Sequence, residues 1–180
     1  TPEKLFAVGK NLLADPGFEG NLDEWELSLP PLEGLRADVD PQISHSGTQS
    51  VRLESQRHPP FQLFSHVYQV FNTRALSGKR VRLSGWIKTD HLDAASAFFT
   101  IVATGQYGSF RPNIPEGISG TQDWTYATYE ADIPRNTYTV WARAAFSTSE
   151  GKVWFDDLKF EVVGDAQETA AKTGGAKKKS

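Results

Sequence analysis

The chain has 180 residues and a formal net charge of −3; 38% of its residues are hydrophobic and 23% are charged. These values suit one soluble globular domain with a sizeable core, and they exclude a disordered chain or a basic nucleic-acid-binding surface. Cysteine is absent, which excludes disulfides, thiol nucleophiles and thiolate metal sites. No apolar run approaches the roughly 18 residues of a membrane-spanning helix.

The N-terminus predicts a processed protein with a short leading arm. The chain begins at Thr1 and contains no Met, and a natural protein without an initial Met has usually been processed, for example by removal of a signal peptide. We therefore expect an extracytoplasmic location, periplasmic or secreted, with peripheral attachment to a membrane complex as an alternative. Residues 1–10 are expected to form an N-terminal arm.

The middle of the chain, residues 11–163, predicts an all-β domain. Turn signals such as "LSGK", "ISGTQD" and "PRN" separate short segments that are rich in β-branched or aromatic residues and mostly alternate with period two. This pattern is typical of an antiparallel two-sheet β-sandwich, or jelly roll. The predicted strands are Ser50–Glu54, His66–Phe71, Lys79–Thr89, Ala97–Ala103, Thr125–Ile133, Thr137–Phe146 and Val153–Val162.

Two of these strands carry an outward row that contains tryptophan and arginine. In "GKRVRLSGWIK" the apolar row should face the core, which leaves Arg82 and Trp86 outside. In "TYTVWARAAF" the row that begins with Tyr138 should be core, and Trp141 and Arg143 lie in the outer row. We predict that these four outer residues form one face for a ligand or partner; the alternative is that a loop or the arm covers either Trp.

The loop over residues 105–120 is a second candidate contact element. It is long for a compact domain, is rich in Gly and Pro, and carries Tyr107, Phe110 and Arg111. Loops of this length are often functional. Tyr107 and Phe110 are therefore added to the predicted ligand or partner face.

The segment "GKVWFDDLKFEV" places two carboxylates in the middle of an apolar strand. Strict alternation puts Asp156 in a row with Trp154 and Leu158, and Asp157 in the opposite, more polar row. A buried carboxylate is costly unless it is paired, hydrogen-bonded or neutralised. Asp156 therefore needs a compensating partner.

The end of the chain, residues 164–180, has no core-forming residue. Its composition predicts a flexible low-complexity tail with a basic tip at Lys177 to Lys179. Such a tip is usually solvated, although it would also suit anionic lipid or an acidic partner.

An ordered series of motifs resembles the carbohydrate-binding-module-like jelly rolls of the galactose-binding superfold, among them binding-module families four, nine and twenty-two. The series consists of "NLLADPGFEG" (11–20), "SHSGTQSVRL" (44–53), "LSGKRVRLSGWIKTD" (76–90), "GTQDWTYATYEADIP" (120–134) and "GKVWFDDLKFEV" (151–162). The resemblance implies a jelly roll over residues 11–163, glycan binding on exposed aromatic rings, and core positions for Trp25, Trp124 and Trp154.

The resemblance also implies a structural calcium ion that ties the N-terminal segment to the last strand. By motif, the side chains of Glu19 and Asp156 and the backbone carbonyls of Gly17, Ser46 and Gln49 would supply its oxygen ligands. In the alternative, Asp156 accepts hydrogen bonds from backbone amides of the "PGFE" turn and no metal is present. Either role is structural.

No catalytic constellation stands out. The four His residues are scattered, and no nucleophile elbow, phosphate-binding loop or zinc-protease motif occurs. We therefore predict a non-enzyme, and two functions compete. One is an extracytoplasmic glycan-binding module; the other is a non-catalytic interaction subunit of a larger extracytoplasmic or membrane-bound protein complex.

Overall fold

The computed structural model describes residues 2–167, without the side chains of residues 2–3 and 93–95. All strand pairs in this part of the chain are antiparallel, so the predicted all-β fold is confirmed. The elements are α1 (Pro2–Leu5), β1 (Glu26–Ser28), β2 (Leu35–Asp40), β3 (Ser50–Ser55), β4 (Phe64–Asn72), β5 (Lys79–Gly105), β6 (Gly108–Phe110), β7 (Ile118–Asp132), β8 (Thr137–Ser147) and β9 (Gly151–Asp165).

Strand β5 belongs to both sheets of the sandwich. Its first half pairs with β7 and β9, and its second half pairs with β8 and β6. The first sheet therefore has the order β2–β3–β9–β5–β7, and the second has the order β1–β4–β8–β5–β6. The strand bends between Thr89 and Ala97, where its pairing with β7 shifts register and His91 adopts a left-handed φ of 52°.

The core lies between the inner rows of the two sheets. In the first half of β5, the predicted inner row that includes Val81 and Leu83 is fully buried. Phe99 of the second sheet faces Phe155 of the first, with ring centroids 5.9 Å apart. Burying an aliphatic or aromatic side chain of this size contributes about 1.5–3 kcal/mol. Hydrophobic burial between the two sheets thus holds the sandwich together.

Tyr138 does not belong to the core, contrary to the prediction. Its side chain is 43% exposed. The register of β5 against β8 shifts at this point, from Thr104 opposite Thr139 to Gly105 opposite Thr137. The extra residue turns Tyr138 outward.

The N-terminal arm pairs with β9. The amide of Gly9 donates to the carbonyl of Val162 at 3.0 Å, and that of Leu12 donates to Phe160 at 2.8 Å. At the other end, β9 continues to Asp165, which pairs with Lys79, so the strand passes the predicted start of the tail at residue 164. The predicted basic tip lies outside the described residues. None of the helices in the described part is long and apolar enough to cross a membrane.

Candidate functional site

A cleft crosses the outer face of the second sheet. The alternation of β4 buries Val67 and turns Tyr68 outward, and that of β8 turns Trp141 and Arg143 outward. Tyr68 lies directly opposite Arg143 in the β4–β8 ladder. Directly opposite residues in antiparallel strands share one face of the sheet, so the register itself gathers these side chains.

The cleft has a volume of about 260 Å³. Its chemistry combines aromatic rings, two guanidinium groups and hydroxyl groups, all on strands except the guanidinium of Arg111. Such a surface can stack against an apolar ring face and hydrogen-bond to polar substituents around it. The lining residues are Ser28, His66, Tyr68, Val102, Thr104, Arg111, Trp141 and Arg143.

The surroundings shift the pKa values of two ionisable groups in the cleft, His66 and Arg143. Burial, and to a smaller extent the nearby Arg143, lowers the pKa of His66 from 6.5 to about 4, so this ring is neutral at physiological pH. Burial and then the charge of Arg111 lower the pKa of Arg143, while the nearby Tyr68 acts in the opposite direction. Arginine nevertheless remains a cation in proteins, and the cleft is therefore electropositive.

The four outward residues predicted to form one face lie on different sheets. Arg82 and Trp86 are in the first half of β5, on the outer face of the first sheet, whereas Trp141 and Arg143 lie on the outer face of the second sheet. The outer faces of a sandwich point away from each other. The prediction of a single face was therefore wrong, because the sequence did not reveal which strands pair.

Arg82 and Trp86 are both occupied by protein contacts. Arg82 forms an ion pair with Glu130 at 2.6 Å. The imidazole of His45 stacks on Trp86 with centroids 4.0 Å apart and planes at 15°. Trp86 thus fits the alternative expectation, in which a loop covers one of the two tryptophans.

The framework tryptophans divide into two groups. Trp25 and Trp154 are buried, at 6% and 4% exposure, as the resemblance implied, although Trp154 lies on the outer face of β9, opposite Lys88. Trp124 is only half-buried, with its ring edge-on to His45 at 5.7 Å. Its expected core position was wrong because it lies in the outer aromatic group around Trp86.

The long loop contributes an arginine to the cleft. Tyr107 is 84% exposed at the turn between β5 and β6, and Phe110 packs partly against the core. Arg111, which follows β6, lines the cleft.

A β-bulge at Asp157 changes the faces of β9. Trp86 lies opposite Asp156 and Ser84 opposite Lys159, so two residues of β9 face Gly85 alone. Asp157 has a left-handed φ of 50°. Consequently Asp156 shares the outer face with Trp154, as strict alternation predicted, but Leu158 beyond the bulge turns into the core; the predicted continuous row was wrong.

Both carboxylates bind the same loop. Oδ2 of Asp156 accepts hydrogen bonds from the amides of His45 at 2.8 Å and Ser46 at 3.2 Å. Asp157 accepts one from the Ser46 hydroxyl at 2.7 Å and contacts Nδ1 of His45 at 2.6 Å. The expectation that the two side chains point to opposite faces was wrong, and so was the "PGFE" turn as the amide donor. Despite these bonds, burial raises the pKa of Asp156, which is fully buried.

The structure places the side chains of Glu19 and Asp156, the two predicted carboxylate ligands of calcium, near Gly17. A Cβ added there would lie 3.8 Å from Cγ of Glu19 and 3.9 Å from Oδ1 of Asp156. Oε1 of Glu19 accepts hydrogen bonds from the amides of Thr48 at 2.9 Å and Gln49 at 3.4 Å. Ser46, the remaining predicted ligand, contacts Asp156 through its amide.

The donor types of this group fit a hard cation, since two carboxylates and several carbonyls suit calcium. Within residues 2–167, no group of three His, Cys, Asp or Glu side chains is arranged to hold a metal; the predicted set has only two such side chains, Glu19 and Asp156. Backbone amides already give both carboxylates partners. Calcium therefore remains a prediction.

Sequence reasoning missed five of the eight lining residues, namely Ser28, His66, Tyr68, Val102 and Thr104. His66 and Tyr68 alternate with buried Ser65 and Val67 in "FSHVYQV", so the period-two pattern gave the signal. Their location beside Trp141 depends on the pairing of β4 with β8, which the pattern does not give.

Comparison with known proteins gives one curated relative. The chain is 27% identical over 151 residues to YbfP, an uncharacterized HTH-type transcriptional regulator of Bacillus subtilis (strain 168), and the match covers 83% of this chain and 51% of that protein. The chain thus spans about half the length of this relative. No protein-family model matches the chain.

Solved structures share the fold at low sequence identity. The CBM22-1 xylan-binding domain from Paenibacillus barcinonensis Xyn10C superposes with a TM-score of 0.61 at 15% identity, over 83% of this chain and 93% of that one. TmCBM61, solved with β-1,4-galactotriose, gives 0.59 at 16% identity, over 86% and 99%.

The enzymatically active domain of bacteriophage CBA120 tailspike protein 4 gives a TM-score of 0.65 at 14% identity. That match covers 84% of this chain but only 21% of the tailspike. The chain therefore has the jelly-roll β-sandwich fold found in carbohydrate-binding modules.

Proposed function

We propose that this domain is a non-catalytic, extracytoplasmic glycan-binding module and that the cleft of the second sheet is its binding site. The observation that carries the proposal is the juxtaposition of Trp141, Tyr68 and Arg143 on one outer sheet face. A fold shared with carbohydrate-binding modules supports it.

The chemistry of the cleft suits a sugar ring. Indole and phenol rings offer apolar surface to the C–H face of a pyranose, and the polar tip of Tyr68 and the guanidinium groups offer hydrogen bonds to its hydroxyls. Because the rings of Trp141 and Tyr68 stand on paired strands, little conformational entropy is lost on binding.

A non-catalytic role is proposed because none of the lining residues is Asp or Glu. Glycoside hydrolysis generally requires two carboxyl groups that flank the scissile bond. The tailspike match does not change this inference, since it covers only 21% of that protein. The extracytoplasmic location is proposed because most polymeric glycans lie outside the cytoplasm.

A glycan array followed by calorimetry tests the proposal. Wild-type protein should bind at least one array glycan, and Trp141→Ala should lower that affinity at least tenfold. Tyr126→Ala is the matched control, because Tyr126 is 55% exposed on the other sheet. A Trp141→Ala variant that folds and binds as tightly as wild type would contradict the proposed site.

A second candidate is a ligand-binding or docking domain within a longer protein. The observation that favours it is the relative named as a transcriptional regulator, about half of which matches this chain. Cell fractionation separates the candidates, since a regulator acts beside DNA in the cytoplasm. The interaction-subunit hypothesis for a larger complex also stays a prediction, and a pull-down from native membranes is its test.

A further inference from the structure

Arg111 and Arg143 lie together in the cleft without an acidic partner. The charge of Arg111 acts on Arg143, and both line the same space. Among the described residues, neither has a carboxylate within ion-pair distance. Several other arginines do have such partners, since Arg36 pairs with Glu54 at 2.8 Å and Arg80 pairs with Glu130 at 2.8 Å.

The guanidinium of Arg143 is also short of hydrogen-bond acceptors. Its Nε is buried and has no partner, the one side-chain nitrogen or oxygen in that state in the described part of the chain. A buried donor without an acceptor is rare in folded proteins, and an unpaired buried charge is costlier still. An arrangement of this kind is explained when the missing acceptor arrives with a ligand.

We propose that the cleft selects a saccharide that carries an oxyanion, either a carboxylate or a sulfate ester, and that Arg143 and Arg111 bind this group. The inference rests on the glycan-binding function proposed above. A guanidinium presents its N–H donors in a planar fork that matches an oxyanion, and charge-assisted hydrogen bonds are stronger than neutral ones. Trp141 and Tyr68 would contact the sugar ring beside it.

The other ionisable groups near the cleft leave its positive charge in place. His66 is neutral at physiological pH, because its pKa is about 4. Glu26 lies opposite Tyr68 in the β1–β4 ladder, and Tyr68 lies opposite Arg143. The backbones of Glu26 and Arg143 are therefore two strand spacings apart, roughly 10 Å, and no ion pair joins the two side chains in the described structure.

Calorimetry with matched pairs of probes tests the inference. The pairs are trigalacturonate and its methyl ester, xylotetraose with a glucuronate branch and its methyl ester, and β-1,4-galactotriose with and without a sulfate ester. We expect the charged member of at least one pair to bind at least tenfold more tightly than its neutral partner, with the preference shrinking as salt rises. The pair that responds identifies the carboxylate or the sulfate as the source.

Arginine variants assign the effect to the cleft. Arg143→Gln and Arg111→Gln should each weaken the charged probe about tenfold or more and the neutral partner less than twofold. Arg111 is exposed, so its variant keeps the test valid if Arg143→Gln fails to fold. Arg57→Gln is the control, since Arg57 pairs with Glu33 and is not among the lining residues.

The outcomes separate the two proposals. Equal binding of charged and neutral partners would overturn the oxyanion preference while glycan binding stands. Failure of every probe and of every array glycan to bind would overturn both. A charged-probe preference that survives both arginine variants would overturn the assignment to this cleft.

Discussion

The imidazole of His45 lies nearly parallel to the indole of Trp86, with ring centroids 4.0 Å apart. His45 is held in turn by the carboxylate of Asp157 at 2.6 Å. The loop that contains His45 therefore closes over the first sheet. Trp86 is part of that closure, whereas Trp141 lines the open cleft of the second sheet.

Substitution should separate the roles of these two tryptophans. Trp86→Ala removes the surface on which His45 packs, so we expect the free energy of unfolding to fall by about 2–3 kcal/mol. Glycan affinity should not change. Trp141→Ala should lower the glycan affinity and leave the free energy of unfolding nearly unchanged, because its ring faces the cleft. Thermal melts and calorimetry on both variants measure this, and a Trp86→Ala protein with wild-type stability would contradict the covering role.

Removing the unpaired charge of Arg143 should not destabilise the fold. Its guanidinium is largely desolvated without a counter-ion, so Arg143→Gln should leave the unfolding free energy unchanged or raise it by about 1 kcal/mol. Arg80→Gln is the comparison, since it breaks ion pairs to Glu130 and Asp132 and should cost up to about 1 kcal/mol. Chemical denaturation gives both values. A clear loss of stability in Arg143→Gln would show that this arginine supports the fold.

His66 should make stability depend on pH. Its pKa is about 4 in the folded protein against 6.5 for an ordinary His, so the unfolded chain binds a proton first. The contribution of His66 to the free energy of unfolding is therefore fully present above pH 6.5. It is lost as the pH falls towards 4, by roughly 3 kcal/mol in all.

The variant His66→Gln should lose this part of the pH dependence. The pKa of Asp156 is raised, which acts with the opposite sign, but it acts equally in both proteins. The difference between their melting curves from pH 4 to 7 therefore reports His66. If His66→Gln leaves the profile unaltered, the buried neutral imidazole is refuted.

Calcium should stabilise the protein if it joins Glu19 to Asp156. An ion that binds only the folded state adds about 2.7 kcal/mol at a hundredfold excess over Kd. Chelation should then lower the melting temperature by roughly 5–10 °C, and added calcium should restore it. Asp156→Asn should remove most of this response, because calcium prefers charged oxygen ligands.

The control for this experiment follows from the contacts of Asp157. Strict alternation had suggested that Asp157→Asn would be a neutral surface change. It is not, because Asp157 binds Ser46 and His45. Glu116→Gln is the suitable control, since Glu116 is exposed in the loop before β7. A wild-type melting temperature that chelator does not change would contradict the calcium prediction. Backbone amides would then be the only partners of Asp156.

Local patterns predicted what depends on local chemistry. The inner row of β5 follows from side-chain character and period two, whereas the burial of Trp25 and Trp154 was implied by the family resemblance. The bulge did not follow, because the left-handed φ of Asp157 depends on tertiary context. One extra residue there separated Asp156 and Trp154 from Leu158 and the residues after it, which face the core.

The candidate site could be predicted only in part, because it depends on pairing between strands that are far apart in the sequence. Trp86 and Trp141 have the same local signature, an aromatic ring in an outward row with arginine. They separate only because β5 passes from one sheet to the other, which no local pattern encodes. Arg111 likewise lies in the cleft because of strand pairing, since it follows β6, which pairs with the second half of β5.

The position of β9 has a consequence for synthesis on the ribosome. This strand, the last one within residues 2–167, lies between β3 and β5 and also receives the N-terminal arm. Until it emerges, the facing edges of β3 and β5 have no partner, and open edges invite pairing with other chains. The first sheet should therefore be completed only after translation has passed Asp165. Truncation before β9 should yield an aggregating product rather than a smaller folded domain.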